Sequence, residues 1–375
     1  MKPEEQGNAA ADSRRPLKLL PNRVWRTYEG GGLLDRWHGA DAPSDGAFPE
    51  DWVGSLVRAA NVGREHITEG YSQYIGSDGT VRLLKEAVER SPQSFLGSGH
   101  VAKYGVQSAL LVKALDSSER LTIQVHPDRK FAKEQFQSDY GKTEAWYVLG
   151  GRTIDGVEPY LLMGFKPGIT REVWRKLFEA QDIEGMVNAL HQIPLREGEV
   201  FLVEGGVPHA IGSGCFLIEI QEPTDLTLRT ERTTPRGHAV PDQACHQGIG
   251  FERMLDCFHY EDLSYDETMQ RWKKDPILLT GTEEGSEWQL IGSRDTDCFR
   301  MHRLEVAGRW RLKPQDSFFT AIAVKGSGKL SWAGGELSVR AGDSFFIPAD
   351  SEELELIRSG DDAQALQVLL CFPPA

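Results

Sequence analysis

A single turn-and-strand pattern occurs twice along this chain. Gly198-Glu-Val-Phe-Leu-Val-Glu204 and Gly342-Asp-Ser-Phe-Phe-Ile-Pro348 both read glycine, acid, any residue, phenylalanine, then two apolar residues. Each copy predicts a turn feeding a strand that enters a core, so one β unit is expected to be built twice. Five residues after Glu204 stands His209; five after Pro348 stands Glu353, so only the first copy offers a histidine there. Short apolar runs with turn residues between them surround the repeat: Leu121–Val125, Ala145–Leu149, Val200–Val203, Phe216–Ile220 and Phe318–Val324. Runs of this length suggest a sandwich or barrel rather than a doubly wound sheet.

Helical pattern is confined to a few places. Val81–Arg90 predicts one short helix, and Asp128–Phe136 another, opening after Pro127 on an aspartate able to cap. Thr170–Leu190 carries apolar residues at helical spacing with a second opening at Asp182, which predicts a helical pair inserted between strands. The expected division is a metal-binding unit over residues 16–260, its helical insert at 170–190, and a second unit over 261–375 without a metal site. The charged stretch Glu261–Asp275 reads as the linker.

Composition narrows the partners. Lys and Arg number 42 against 56 Asp and Glu, a net charge of −14, which disfavours nucleic acid and anionic membranes. No apolar run approaches the roughly 18–20 residues of a membrane span. The first fifteen residues lack the apolar stretch of a secretory signal and read as a polar tail. The five cysteines are scattered, odd in number and without CxxC pairs, as expected of free thiols in a reducing cytoplasm. A monomer or weak homo-oligomer is expected.

The run Leu121-Thr-Ile-Gln-Val-His126 alternates, so Thr122, Gln124 and His126 share one face while Leu121, Ile123 and Val125 take the other. Polar side chains facing a barrel interior need partners or a metal. Glu144 precedes a second strand, and His209 follows the turn Gly205-Gly-Val-Pro208, which aims it across the sheet. Two imidazoles, a carboxylate and an amide oxygen suit zinc or another divalent first-row ion, with a position left for water or substrate.

These residues resemble a known family. Leu121-Thr-Ile-Gln-Val-His-Pro-Asp128, Gly141-Lys-Thr-Glu-Ala-Trp-Tyr147, Pro208-His-Ala-Ile-Gly212 and Thr224-Asp-Leu-Thr-Leu-Arg229 look like class I mannose-6-phosphate isomerase in its compact bacterial form. The likeness runs in order from about Pro21 to Leu255, through Trp52-Val-Gly-Ser55 and Leu111-Val-Lys113. It implies a mainly β fold, a duplicated double-stranded β-helix (cupin jelly roll) with a short helical insertion. It also implies one zinc ion per chain on Gln124, His126, Glu144 and His209, and isomerisation between mannose 6-phosphate and fructose 6-phosphate through an enediol. The chain departs from the family at Glu204-Gly-Gly206, where Pro-x-Gly is usual, and at Arg129 after Pro127-Asp128.

Moving a proton between two sugar carbons needs a Lewis acid, an acid–base group and a clamp for the rest of the substrate. Lys142 stands two residues before Glu144, on the same face of an extended chain, where it could bind a sugar oxygen or shuttle a proton. Asp225, Thr227 and Arg229 alternate, as do Glu219 and Gln221. Arg229 matches the arginine that the family places over substrate, and Asp225 either orients it or forms a plain ion pair with Arg229 or Arg232. Lys142, Asp225 and Arg229 are the expected catalytic groups, with Glu219 a further proton-base candidate and sugar contact. Lys113 and Thr122 match positions suited to phosphate, Arg129 could add to them, and Trp52 is the expected pocket wall. Two other readings stay open: a metal cupin enzyme acting on an unphosphorylated sugar or as an Fe(II) oxygenase, and a sugar-sensing cupin without catalysis.

Overall fold

Gly198 and Gly342 both adopt left-handed backbone, with φ of 86° and 96°, and launch the strands Val200–Val203 and Ser344–Ile347. Only glycine enters that region without steric penalty, which explains the residue shared by both turns. In the computed structural model, which describes residues 11–313, 315–360 and 364–375, the two strands hold equivalent places in two seven-stranded sheets.

The first sheet runs Lys273–Lys274, Val200–Val203, Glu144–Gly151, Cys215–Gln221, Leu111–Asp116, Glu50–Val53, Arg23–Val24. The second runs Leu17–Lys18, Ser344–Ile347, Phe319–Lys325, Leu366–Phe372, Arg300–Val306, Gly285–Ile291, Ile277–Thr282. Their edge strands are exchanged. Leu17–Lys18 leads into the first unit yet pairs with Phe345 and Phe346 of the second, while Lys273–Lys274 leads into the second yet pairs with Val200 and Phe201 of the first. Each unit thus covers an edge the other would expose, and the two strands tie the units across the expected boundary at 260/261.

Period-two alternation then sorts every side chain. Val112, Ala114, Ala145, Tyr147, Ile218 and Ile220 leave one face of the first sheet and pack with Met301, Ile322, Leu369 and Cys371 of the second, in one core between the units. The intervening residues, among them Trp146, Leu217 and Leu115, face a five-stranded sheet ordered Leu190–Pro194, Tyr160–Phe165, His209–Ile211, Gln124–Val125, Leu228–Arg229. This makes the first unit a sandwich. The second closes likewise against a four-stranded sheet, with its own core of Leu304, Ala321, Leu330, Leu356 and Val368. The duplicated β architecture with a helical insertion is present as expected.

The insert consists of helices Arg171–Ala180 and Ile183–Asn188, and Leu190 already begins a strand. Thr170 and Asp182 cap them by accepting from the backbone N–H of Val173 and Gly185. Their apolar face, Trp174, Phe178 and Met186, covers Ile123, Val125, Ala210 and Leu228 on the outside of the five-stranded sheet. Each such side chain contributes about 1.5–3 kcal/mol on full burial.

Three expectations change. Val81–Leu83 is a strand paired with Gln73–Ile75, and the helix begins only at Leu84. The stretch Glu261–Asp275 holds the helix Tyr265–Trp272, opened by a Ser264/Glu267 capping box and anchored by Trp272, 2% exposed. The polar N-terminal tail lies outside the described residues as far as residue 10, but Asp12 is buried, because its carboxylate accepts from Tyr74, the Ser77 N–H and Arg82. No helix among the described residues is long and apolar enough to cross a membrane.

Candidate metal centre and active site

Strand register brings the polar residues together. Across the five-stranded sheet His209 faces Gln124, which faces Arg229 on its other side. In the seven-stranded sheet Gln221 lies opposite Glu144, and Glu219 opposite both Lys113 and Trp146. Because their neighbours in sequence are committed to the core between the units, Glu144, Glu219 and Lys113 must point into the sandwich.

There His126 Nε2 stands 3.2 Å and His209 Nε2 3.4 Å from the Glu144 carboxylate, with one ligand atom from each residue lying within 4.8 Å of the others. The Gln124 amide is 3.3 Å from His209 Nε2, and a half-turn of that amide presents its oxygen at the same place. Close backbone approach makes this convergence possible. A Cβ on Gly141 would lie 2.5 Å from the Pro127 carbonyl oxygen, and one on Gly205 2.6 Å from the Asp128 backbone. The two loops before Glu144 and His209 can therefore press onto the turn after His126 only as glycines.

The protonation pattern suits a cation. His126 donates Nδ1–H to the Leu226 carbonyl at 2.9 Å and His209 donates to that of Val207 at 2.9 Å, since a carbonyl can only accept. Both Nε2 lone pairs are left facing inward, the arrangement that orients ligating histidines. Burial, then Lys142, pushes the His126 imidazole down to about 3, and burial lowers His209 too, so both rings are neutral. Burial opposes ionisation of Glu144, but Lys142 and His126 outweigh it and hold the carboxyl well below the usual range. Both Glu144 oxygens are buried and, beyond the ion pair with Lys142, accept no hydrogen bond among the described residues, a shortfall that a divalent ion would fill. The donor set fits a metal.

A small chamber of about 50 Å³ adjoins this cluster, lined by Thr122, Gln124, Lys113, Lys142, Glu219, Asp225, Thr227 and Arg229. Lys142 Nζ reaches His126 Nε2 at 2.8 Å and Glu144 at 3.0 Å. Lys113 pairs with Glu219 at 2.9 Å and lies 3.8 Å from Glu50. Burial pushes the Glu219 carboxyl up despite Lys113. Arg229 bonds the carbonyls of Thr227 and Ala244, and burial lowers its pKa.

Three expected placements differ. Asp225 pairs not with Arg229 or Arg232 but with Arg26, at 3.1 Å and 3.3 Å; Arg232 is drawn off to Asp242. Burial opposes its ionisation, yet Arg26 holds Asp225 far below the carboxylate range. Trp52 is absent from the chamber wall. It is 0% exposed behind it, donating to Glu50 at 2.7 Å, with Arg26 and Lys113 over its ring. Arg129 also points elsewhere, to Glu222, Asp297 and Cys298.

Sequence reasoning overlooked Arg26, Tyr28, Glu50 and Arg120, which all line the chamber. Alternation in Val24-Trp-Arg-Thr-Tyr28 was the available signal: Val24 is core, and Arg26 and Tyr28 share its face.

Known proteins agree with this architecture. Residues 294–361, in the second unit, match the model of the mannose-6-phosphate isomerase cupin domain. The mannose-6-phosphate isomerase of Streptococcus mutans is 26% identical over 330 residues, 88% of this chain and 92% of that one. The crystal structure of mannose 6-phosphate isomerase from Bacillus subtilis aligns with a TM-score of 0.73 at 20% identity, over 96% of this chain and 99% of that one. A mutant phosphomannose isomerase from Salmonella typhimurium aligns with a TM-score of 0.73 at 16% identity, over 96% and 100%. The domain match in the second unit, the relatives along the chain and the shared fold together make this chain similar to the cupin-type mannose-6-phosphate isomerases.

Proposed function

We propose that the chain is a zinc-dependent aldose–ketose isomerase interconverting mannose 6-phosphate and fructose 6-phosphate in the cytoplasm. The observation that carries this reading is the His126–Glu144–His209 cluster, with Gln124 beside it, opening on a chamber lined by both acids and bases. One ion per chain on these four residues would supply Lewis-acid stabilisation for negative charge developing on the sugar oxygens.

The chain's own groups divide the remaining work. Lys142, within 3.0 Å of Glu144, is placed to hold a sugar hydroxyl and to move a proton beside the reacting carbons. Glu219, paired with Lys113 at 2.9 Å and pushed up by burial, is a candidate to take a proton from the substrate. Asp225, held ionised by Arg26, is a better acceptor for a sugar hydroxyl than a proton shuttle. Arg229 forms no carboxylate ion pair among the described residues and is therefore free to stabilise an enediolate oxygen. Lys113 and Thr122 form the phosphate end, Lys113 exchanging its Glu219 partner for phosphate.

Charge balance supports an anionic substrate. Arg26, Lys113, Arg120, Lys142 and Arg229 are matched by Glu50, Glu144, Glu219, Asp225 and Glu231. A divalent cation leaves an excess that a phosphate dianion would neutralise. Five free, buried cysteines favour a reducing compartment.

A coupled assay with mannose 6-phosphate and free mannose, with and without chelator, tests the proposal. Turnover of the phosphorylated sugar at least about tenfold more efficient than of mannose, abolished by chelator and restored by zinc, is expected. Equal turnover of both sugars removes the phosphate assignment, and chelator-resistant turnover removes the metal.

A further inference from the structure

Arg129, expected at the rim of the chamber, instead spans the two units. Its Nε donates to Glu222 Oε1 at 2.6 Å, while its terminal nitrogens reach Asp297 at 2.9 Å and Cys298 Sγ at 3.2 Å in the second unit. The other Glu222 oxygen accepts the Thr143 N–H at 3.0 Å, and the Glu222 N–H donates back to Thr143 at 3.1 Å. Thr143 stands between Lys142 and Glu144, which both reach His126 Nε2. Glu222 is 1% exposed, so its charge has no compensation from water and depends on Arg129. Around it the same segment is fixed by Lys142 N–H to the Pro127 carbonyl at 3.0 Å and by Thr224 Oγ1 to that of Gly141 at 2.6 Å.

We propose that Arg129 and Glu222 form a clamp that sets the position of Lys142 and Glu144, and that the second unit supports the metal centre by anchoring the far side of Arg129. The inference rests on the metal-centre reading above. It gives the second unit a task in the chemistry: Arg129 and Glu222 are positioning residues, acting on the ligand strand from outside the chamber.

The test measures zinc affinity of the full chain by competition with a chromogenic chelator, alongside kcat and KM for mannose 6-phosphate. Arg129→Gln is expected to weaken zinc binding by about 10–100-fold and lower kcat, with KM unchanged within about twofold. Arg129→Lys, which keeps the charge beside Glu222, should recover part of the loss. Asp297→Asn should weaken zinc binding by about twofold or more. A lower melting temperature with unchanged zinc affinity and kcat overturns the clamp, and a raised KM alone makes Arg129 a phosphate ligand instead. Unchanged zinc affinity in Asp297→Asn overturns the second unit's share. A native chain that binds zinc without isomerising mannose 6-phosphate fails the functional reading and leaves the clamp standing. One that binds no zinc ends both.

Discussion

His126→Ala is expected to strip the chain of its metal and to lower kcat/KM for mannose 6-phosphate by about 10³-fold or more, because several kcal/mol of charge stabilisation disappear with the ion. His126 is fully buried, and its Nδ1–H is fixed on the Leu226 carbonyl, so no neighbouring group can turn its lone pair into the same place. The fold should survive, since Lys142 stays 3.0 Å from Glu144 and neutralises it. Metal analysis beside circular dichroism checks the result. A folded, metal-free variant with full activity contradicts the mechanism.

Arg26→Gln is the second large effect, on stability. Arg26 links Glu50 at 2.9 Å with Asp225 at 3.1 Å, and its removal leaves buried carboxylates poorly compensated, at a cost of about 3–5 kcal/mol. The loss should depend on pH. Burial would raise the Glu50 carboxyl, but Arg26 and Lys113 lower it to about 2 from 4.5. A depressed carboxyl stabilises the fold fully above about 4.5, and that contribution fades as pH falls toward about 2. The gap between native chain and variant in urea unfolding should therefore be widest near neutrality and narrow below pH ~4.5. A gap under about 1 kcal/mol at neutral pH, of the size expected for an exposed pair, contradicts the buried network.

Much of this site was legible in the sequence because period two is a rigid rule. Thr122, Gln124 and His126 fall on the inner face as their alternation requires, with Ile123 and Val125 against the helical insert. The repeat also announced two equivalent units through glycines that only a left-handed turn demands. What stayed hidden is long-range pairing. Nothing in Leu17-Lys18 indicates that it completes a sheet more than three hundred residues away, beside Phe345 and Phe346. The choice of Arg26 over Arg229 or Arg232 as the partner of Asp225 is equally non-local, since it follows from how the Arg23–Val24 edge meets the chamber. Trp52 was misplaced because alternation gives a face but not a depth: it lies behind Lys113 rather than beside substrate. The linker helix was a missed local signal, as Ser264 and Glu267 already spell a capping box.

The central claim is that Gln124, His126, Glu144 and His209 grip one cation. X-ray absorption at the metal edge of the purified chain tests it most directly. The predicted result is one ion per chain in a shell of nitrogen and oxygen at about 2.0–2.2 Å, lost in His126→Ala. A shell containing sulfur at about 2.3 Å, or one unchanged by that substitution, would place the ion elsewhere and contradict the account.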